Sequence, residues 1–227
     1  MKPTQSLPEL IGKRVHFIGI GGAGMSGLAR IALSHGIKVS GSDAKDSNVI
    51  VALTALGANV LVGHKSENVD GADLVVFSTA ISENNPERLR AIELGIPIIA
   101  RATALALLMS ESKSIAVAGT HGKTTTSSML TVALQATGAD PSFAIGGTIT
   151  ASGSNAHRGT GEFFVAEADE SDGSFIAYHP YGAIITNIEH DHVDYFADES
   201  AVFEVFNDFI ETIASDGFLI YCNDDKG

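Results

Sequence analysis

The stretch Arg14-Val15-His16-Phe17-Ile18-Gly19-Ile20-Gly21-Gly22-Ala23-Gly24 (RVHFIGIGGAG) is an apolar run that breaks into glycines. Arg14–Ile20 reads as a β-strand, and the glycines open a helix from about Gly24 to Ser34. Gly19, Gly21 and Gly24 fit G-x-G-x-x-G, and Asp43 lies nineteen residues past Gly24. Such glycines let the backbone approach a pyrophosphate, while the helix N-terminus supplies N–H groups and a positive dipole end. A nicotinamide or flavin dinucleotide is the usual ligand, although a tight strand-to-helix turn without a ligand fits the same pattern. Asp43 reads either as part of that site or as the cap of the following helix.

Outward from this turn, short β-rich runs alternate with helical ones. Strands are predicted at 37–40 (running on to Asp43), 59–62, 72–77 and 96–99, and helices at 48–56, 86–94 and 102–109. This alternation predicts an α/β fold with a parallel sheet covered on both faces. A second unit begins near Ser112, giving two Rossmann-like units, 1–111 and 112–227. In it, strands are predicted at 114–118, 163–166, 183–186 and 218–221, and the Gly-, Ser- and Asn-rich stretch 151–161 reads as a loop. Val202, Phe203, Val205, Phe206, Phe209, Ile210 and Ile213 recur at helical spacing and predict a core-facing helix. The ending at Asp225-Lys226-Gly227, just after a strand, suggests an incomplete second domain that binds ligands without completing a reaction alone.

The second glycine-rich loop is more specific. Gly119-Thr120-His121-Gly122-Lys123-Thr124-Thr125 follows the strand 114–118 and leads into a helix that Gly138 ends. Lys123 can reach β- and γ-phosphates, the Thr124 hydroxyl is placed for Mg²⁺, and backbone N–H groups cradle phosphate oxygens. The general G-x-x-x-x-G-K-[ST] spacing would need glycine at 117, where Val117 stands. His121 reads as structural or catalytic, since most such loops do without it.

Charge sets limits on partners. The net charge is −13 with only 14 Lys and Arg, which argues against a nucleic-acid groove. Any phosphate site must therefore be built locally. Cys222 is the single cysteine, so no internal disulfide forms, which fits a reducing cytoplasm. No apolar run approaches the ~20 residues that span a bilayer.

The short loop GTHGKTT resembles the ATP loop of the Mur ligases. So do residues 19–27 (GIGGAGMSG), 165–174 (VAEADESDGS) and 186–194 (TNIEHDHVD), closest to the branch that adds L-alanine in peptidoglycan synthesis. The resemblance implies that the first unit holds a UDP-sugar instead of NAD. Gly21, Gly22, Ala23, Gly24, Met25 and Ser26 would face the diphosphate, and Asp43, Ser78, Thr79 and Ala80 the uridine. Gly147, Thr148, Asn155 and Ala156 would face the sugar. The second unit would bind ATP and Mg²⁺ through 119–125. Glu167 and Thr124 would ligate one metal and His192 a second, with Asn187 and Glu189 lining the pocket. Lys123, Glu167 and His192 would form the catalytic set. The implied substrates are UDP-N-acetylmuramate and L-alanine, with no nucleic-acid or membrane partner.

The residues alone leave other readings open. Glu167, Asp169, Glu170 and Asp172 form an acidic run, usually a solvated face. His190 and His192, with Asp191 and Asp194, lack four obvious ligands for a metal. No lysine lies between Lys123 and Lys226, so the carbamylated lysine of several Mur ligases has no counterpart, as in the alanine-adding branch. A muropeptide ligase of wall recycling, a non-catalytic nucleotide-binding fragment and an NAD-dependent oxidoreductase are the alternatives. A dehydrogenase would have no use for Lys123.

Overall fold

Each half of the chain builds its own sheet, and the division falls after Leu108, three residues before the expected boundary. The computed structural model describes residues 6–192 and 195–225. Asp194, part of one quoted motif, lies outside the described residues, as do Lys226 and Gly227.

The first unit contains α1 (Leu7–Leu10), β1 (Arg14–Ile18), α2 (Ala23–Ser34), β2 (Lys38–Asp43), α3 (Asn48–Ala55), β3 (Asn59–Val62), β4 (Leu74–Phe77), α4 (Pro86–Glu93) and β5 (Ile98–Ala100). Its sheet runs β3-β2-β1-β4-β5, every pairing parallel. The order reverses at β1, so the loops after β1 and β4 flank a switch point at the carboxyl edge, where α/β sheets take ligands. Ile18, Val69, Ala72, Val75 and Ala91 form a buried cluster joined by Phe77, Ile81, Ile96 and Ile98. Near-continuous apolar strands such as Leu74–Phe77 are what a sheet covered on both faces requires.

Helix α5 (Arg101–Met109) spans the division. The second unit then runs β6 (Lys113–Ala118), α6 (Lys123–Ala136), β7 (Ser142–Ile149), β8 (Ser154–His157), β9 (Phe163–Glu167), β10 (Gly182–Ile185), α7 (Glu199–Glu211) and β11 (Phe218–Tyr221). Its sheet order is β11-β10-β6-β9-β7-β8, parallel except where β8 runs antiparallel to β7. This corrects two expectations. The sheet is mixed, not wholly parallel, and the supposed loop 151–161 contains strand β8. Strand β7 is also absent from the sequence reading. Its Gly146-Gly147 pair lowers strand propensity, and β8 is short and polar, so neither shows an apolar run.

Phe143, Ile145, Ile149 and Val165 pack beneath Leu130 and Leu134 of α6. The helix also buries Ser127 and Thr131, whose hydroxyls donate to the carbonyls of Lys123 and Ser127 at 2.8 Å, which removes the penalty for burying them. On α7, Val202, Phe206 and Phe209 are buried, and both phenylalanines pack on Phe175. Phe203, Val205 and Ile210 are only half-buried.

Candidate nucleotide-binding sites

In the first unit, α2 begins directly after Gly22, and the Gly21 N–H donates to Asp43 Oδ2 at 2.9 Å. Asp43 thus anchors the glycine loop. The cap of α3 is Ser47, whose hydroxyl accepts from the Ile50 N–H, so the capping alternative for Asp43 does not hold. Met25 and Ser26 are buried, and the Ser26 hydroxyl donates to the Ala23 carbonyl. The Ser26 N–H donates to the Gly22 carbonyl at 2.8 Å, so neither donor of Ser26 faces an anion. Ser78, Thr79 and Ala80 follow β4 as a turn closed by the Ile81 N–H on the Ser78 carbonyl, with Thr79 and Ala80 exposed. Ile81 lies against Gly19, so the two loops at the switch point are neighbours.

Beneath this crevice lies a buried polar cluster that no sequence pattern announced. Glu87, fully buried at the start of α4, accepts from the Ser42 hydroxyl at 2.6 Å and from the Asn68 amide. It also lies 2.9 Å from His64 Nδ1 and 3.5 Å from His16 Nε2. Burial alone would raise its pKa, but hydrogen bonds with His16, Ser42, Asn68 and His64 outweigh it and hold the carboxyl at about 2.

In the second unit, the loop between β6 and α6 wraps a segment after β10. Gly119 has φ +128°, and a Cβ there would collide with Thr186 Oγ1 and the Asn187 carbonyl. The Thr120 N–H donates to Asn187 O, and the His121 N–H to Asn187 Oδ1 at 2.9 Å. Asn187 Nδ2 returns a bond to the His121 carbonyl, and the Glu189 N–H donates to the Thr120 hydroxyl. Asn187 and Thr120 therefore shape the loop. His121 is exposed, with its Nε2 3.8 Å from Glu189 Oε2.

The first turn of α6 faces the end of β9. The Thr124 hydroxyl donates to Glu167 Oε1, and the Gly146 N–H to Glu167 Oε2 at 2.8 Å. A Cβ at Gly146 would sit 2.8 Å from the Glu167 carboxylate, and one at Gly147 2.8 Å from the Thr124 methyl. The glycine pair that hides β7 in the sequence is thus required by this approach. Oxygen donors converging from Thr124 and Glu167 suit a hard cation such as Mg²⁺, and the glycine-lined loop suits phosphate. Thr148 lies in the irregular part of the β7–β8 ladder. Asn155 is half-buried on β8, and Ala156 points inward. Thr125 is exposed in the first turn of α6.

Lys123 Nζ lies 2.8 Å from both carboxylate oxygens of Glu170, which is 2% exposed. This overturns the solvated-face reading of the acidic run at that residue. Glu170 is the site residue that sequence reasoning missed, because nothing in DESD marks one acid as buried. His192, at φ +54°, brings Nε2 within 3.4 Å of Glu170 Oε1. The left-handed region is one that histidine visits more than most residues. His190 Nε2 instead meets the Phe196 carbonyl, so the two histidines do not converge. Among the described residues, no group of three or more His, Cys, Asp or Glu side chains is gathered for a metal. The N–H of His192 and the charges of His192, His121 and Lys123 hold the Asp191 carboxyl below its ordinary range.

One parallel sheet and one mixed sheet, each with a glycine-rich loop running from a strand into a helix, define an α/β protein with two candidate nucleotide loops. Comparison with known proteins narrows this. Residues 14–113 match the model for the Mur ligase family, catalytic domain, and residues 117–227 that for the Mur ligase middle domain. UDP-N-acetylmuramate–L-alanine ligase of Nocardioides sp. is 54% identical over 225 residues, 99% of this chain and 50% of that protein. The Renibacterium salmoninarum enzyme of the same name is 56% identical over 94% of this chain and 46% of its own length. Among solved structures, UDP-N-acetylmuramate:L-alanyl-γ-D-glutamyl-meso-diaminopimelate ligase from Neisseria meningitides is similar with a TM-score of 0.88. It is 35% identical, over 94% of this chain and 72% of that one. UDP-N-acetylmuramate-alanine ligase from Thermotoga maritima gives a TM-score of 0.84 and 32% identity, over 94% and 50%. The chain belongs to the Mur ligase family, and it spans about half the length of the curated relatives it matches.

Proposed function

We propose that these two units carry the UDP-sugar and ATP sites of a ligase that joins L-alanine to UDP-N-acetylmuramate in the cytoplasm. The carrying observation is the identity of 54% and 56% to alanine-adding relatives over 99% and 94% of this chain. The reaction is proposed for the family member as a whole.

The first unit offers the start of α2, Ala23 to Met25, to a diphosphate, with Asp43 holding the loop through the Gly21 N–H and residues 78–80 beside it. The second offers the 119–125 loop to ATP. The lactoyl carboxylate of the sugar attacks the γ-phosphorus, ADP leaves, and an acyl phosphate forms. The alanine amine then attacks the acyl carbon, loses a proton, and phosphate departs. The first step drives an anion against a polyanion, a repulsion that grows as water is excluded. Lys123 and the loop N–H groups supply fixed positive potential there. Mg²⁺, held by Thr124 and Glu167 with His192 available to a second ion, would neutralise further phosphate charge.

Calorimetric titration with UDP-N-acetylmuramate, MgATP and NADH tests the reading. Saturable binding of the first two is expected. Saturable NADH binding with none for the UDP-sugar would overturn it.

A further inference from the structure

A lysine ammonium carries three N–H donors, and all three of Lys123 are engaged inside the protein. Nζ donates to the Gly119 carbonyl at 2.7 Å, the Thr120 carbonyl at 3.2 Å and Glu170 Oε1 at 2.8 Å. The two carbonyls belong to the loop itself, so they hold the ammonium over it. The third partner is an anion from another element, on the loop that leaves β9 three residues beyond Glu167. The end of β9 and the loop that leaves it therefore engage two first-turn residues of α6: Glu167 takes the Thr124 hydroxyl, and Glu170 takes the Lys123 ammonium.

Removing a carboxylate from water is costly unless a cation and hydrogen bonds repay it, and Lys123 is the cation that does so for Glu170. A phosphate oxygen arriving at Nζ finds no free donor. It must take one, and the loop carbonyls move only if the loop refolds.

We propose that Glu170 is an internal stand-in for phosphate. It occupies the Lys123 donor that a nucleotide needs, so nucleotide binding is a competition between phosphate and this carboxylate. Glu170 thereby sets both the affinity and the resting form of the loop. Once displaced, its carboxylate still has His192 Nε2 at 3.4 Å, so loading the loop is felt at the 189–192 segment. The inference rests on the reading of 119–125 as a nucleotide loop. A pair that merely braced the fold would behave oppositely: removing its charge would leave nucleotide affinity unchanged or weaken it.

The test is calorimetric titration with ADP, without magnesium, of the wild type, Glu170→Gln and Glu170→Asp. The Gln variant keeps the size and removes the charge, and affinity should tighten about tenfold, the worth of one charge-assisted hydrogen bond. The Asp variant, with its carboxylate drawn back by one methylene, should fall between. Unchanged UDP-N-acetylmuramate affinity certifies folding. In ADP-soaked wild-type crystals, the third Nζ contact should pass from Glu170 to a phosphate oxygen. Weaker or unchanged ADP affinity in Glu170→Gln, or an intact Lys123–Glu170 contact in the ADP complex, would overturn the proposal alone. Wild-type protein that binds the UDP-sugar but no ADP would remove the nucleotide reading and this inference with it.

Discussion

The Thr124 hydroxyl donates to Glu167 Oε1 at 2.9 Å, which joins the first turn of α6 to the carboxyl end of β9. An acid and a hydroxyl held together there form the oxygen-rich half of a divalent-cation site. Glu167→Gln keeps the shape and removes the charge. Its Mn²⁺ affinity in the presence of ADP should fall by at least the roughly tenfold that losing an outer-sphere partner costs. Paramagnetic titration reads this directly. Undiminished Mn²⁺ binding would place the cation elsewhere, as would anomalous peaks remote from Glu167 and His192.

Lys123→Ala should reduce ATP affinity by about tenfold or more while sparing UDP-N-acetylmuramate. It also strands the buried Glu170 carboxylate, so stability should drop by up to about 3 kcal/mol. Adding Glu170→Gln to that variant should restore stability without restoring ATP binding. Denaturant melts and calorimetry on the two variants separate these effects. A single variant as stable as wild type would mean that Glu170 does not depend on Lys123.

Gly119→Ala places a methyl against Thr186 Oγ1 and Asn187 O, at a φ of +128°. The backbone conformation alone should cost about 1–3 kcal/mol, and moving the loop off the Thr186–Glu189 segment should weaken ATP binding. Urea unfolding at fixed pH measures the first effect. A loss under about 0.5 kcal/mol, the ordinary surface level, would show that the loop relaxes freely.

Glu87 makes folding of the first unit acid-sensitive. Its carboxyl sits at about 2 in the folded protein against an ordinary 4.5. The stabilisation is complete above pH 4.5 and is lost as pH falls towards 2, about 3 kcal/mol over that window. In urea melts, wild type should exceed Glu87→Gln in stability at pH 5.5, and the gap should shrink by pH 2.5. A gap independent of pH would mean that the charge on Glu87 carries none of this stability.

Much of the fold was legible because strand, glycine turn and helix repeat at short range. The runs 59–62 and 218–221 need no distant partner to be recognised, and Arg14–Ile18 falls two residues short of its expected end because Gly19 adopts φ +81°. The glycine loop between β6 and α6 was legible for the same reason, since Gly119 to Thr125 are contiguous. Strands β7 and β8 were not, because one carries two glycines and the other is polar, and each is held by its neighbours in the sheet.

Sequence by itself determined most of the elements, the two glycine loops and the family, since each is carried by local order along the chain. Only the tertiary structure decided which acids are buried. Glu170 and Asp172 stand two residues apart in one acidic run, yet Glu170 lies 2.8 Å from Lys123, forty-seven positions away, while Asp172 only closes a turn on the Ser174 N–H. Glu87 likewise draws on Ser42, His64, Asn68 and His16, from β2, the β3–β4 connection and β1. Burying a charge requires partners gathered from distant parts of the chain, and that gathering exists only once the sheets have formed.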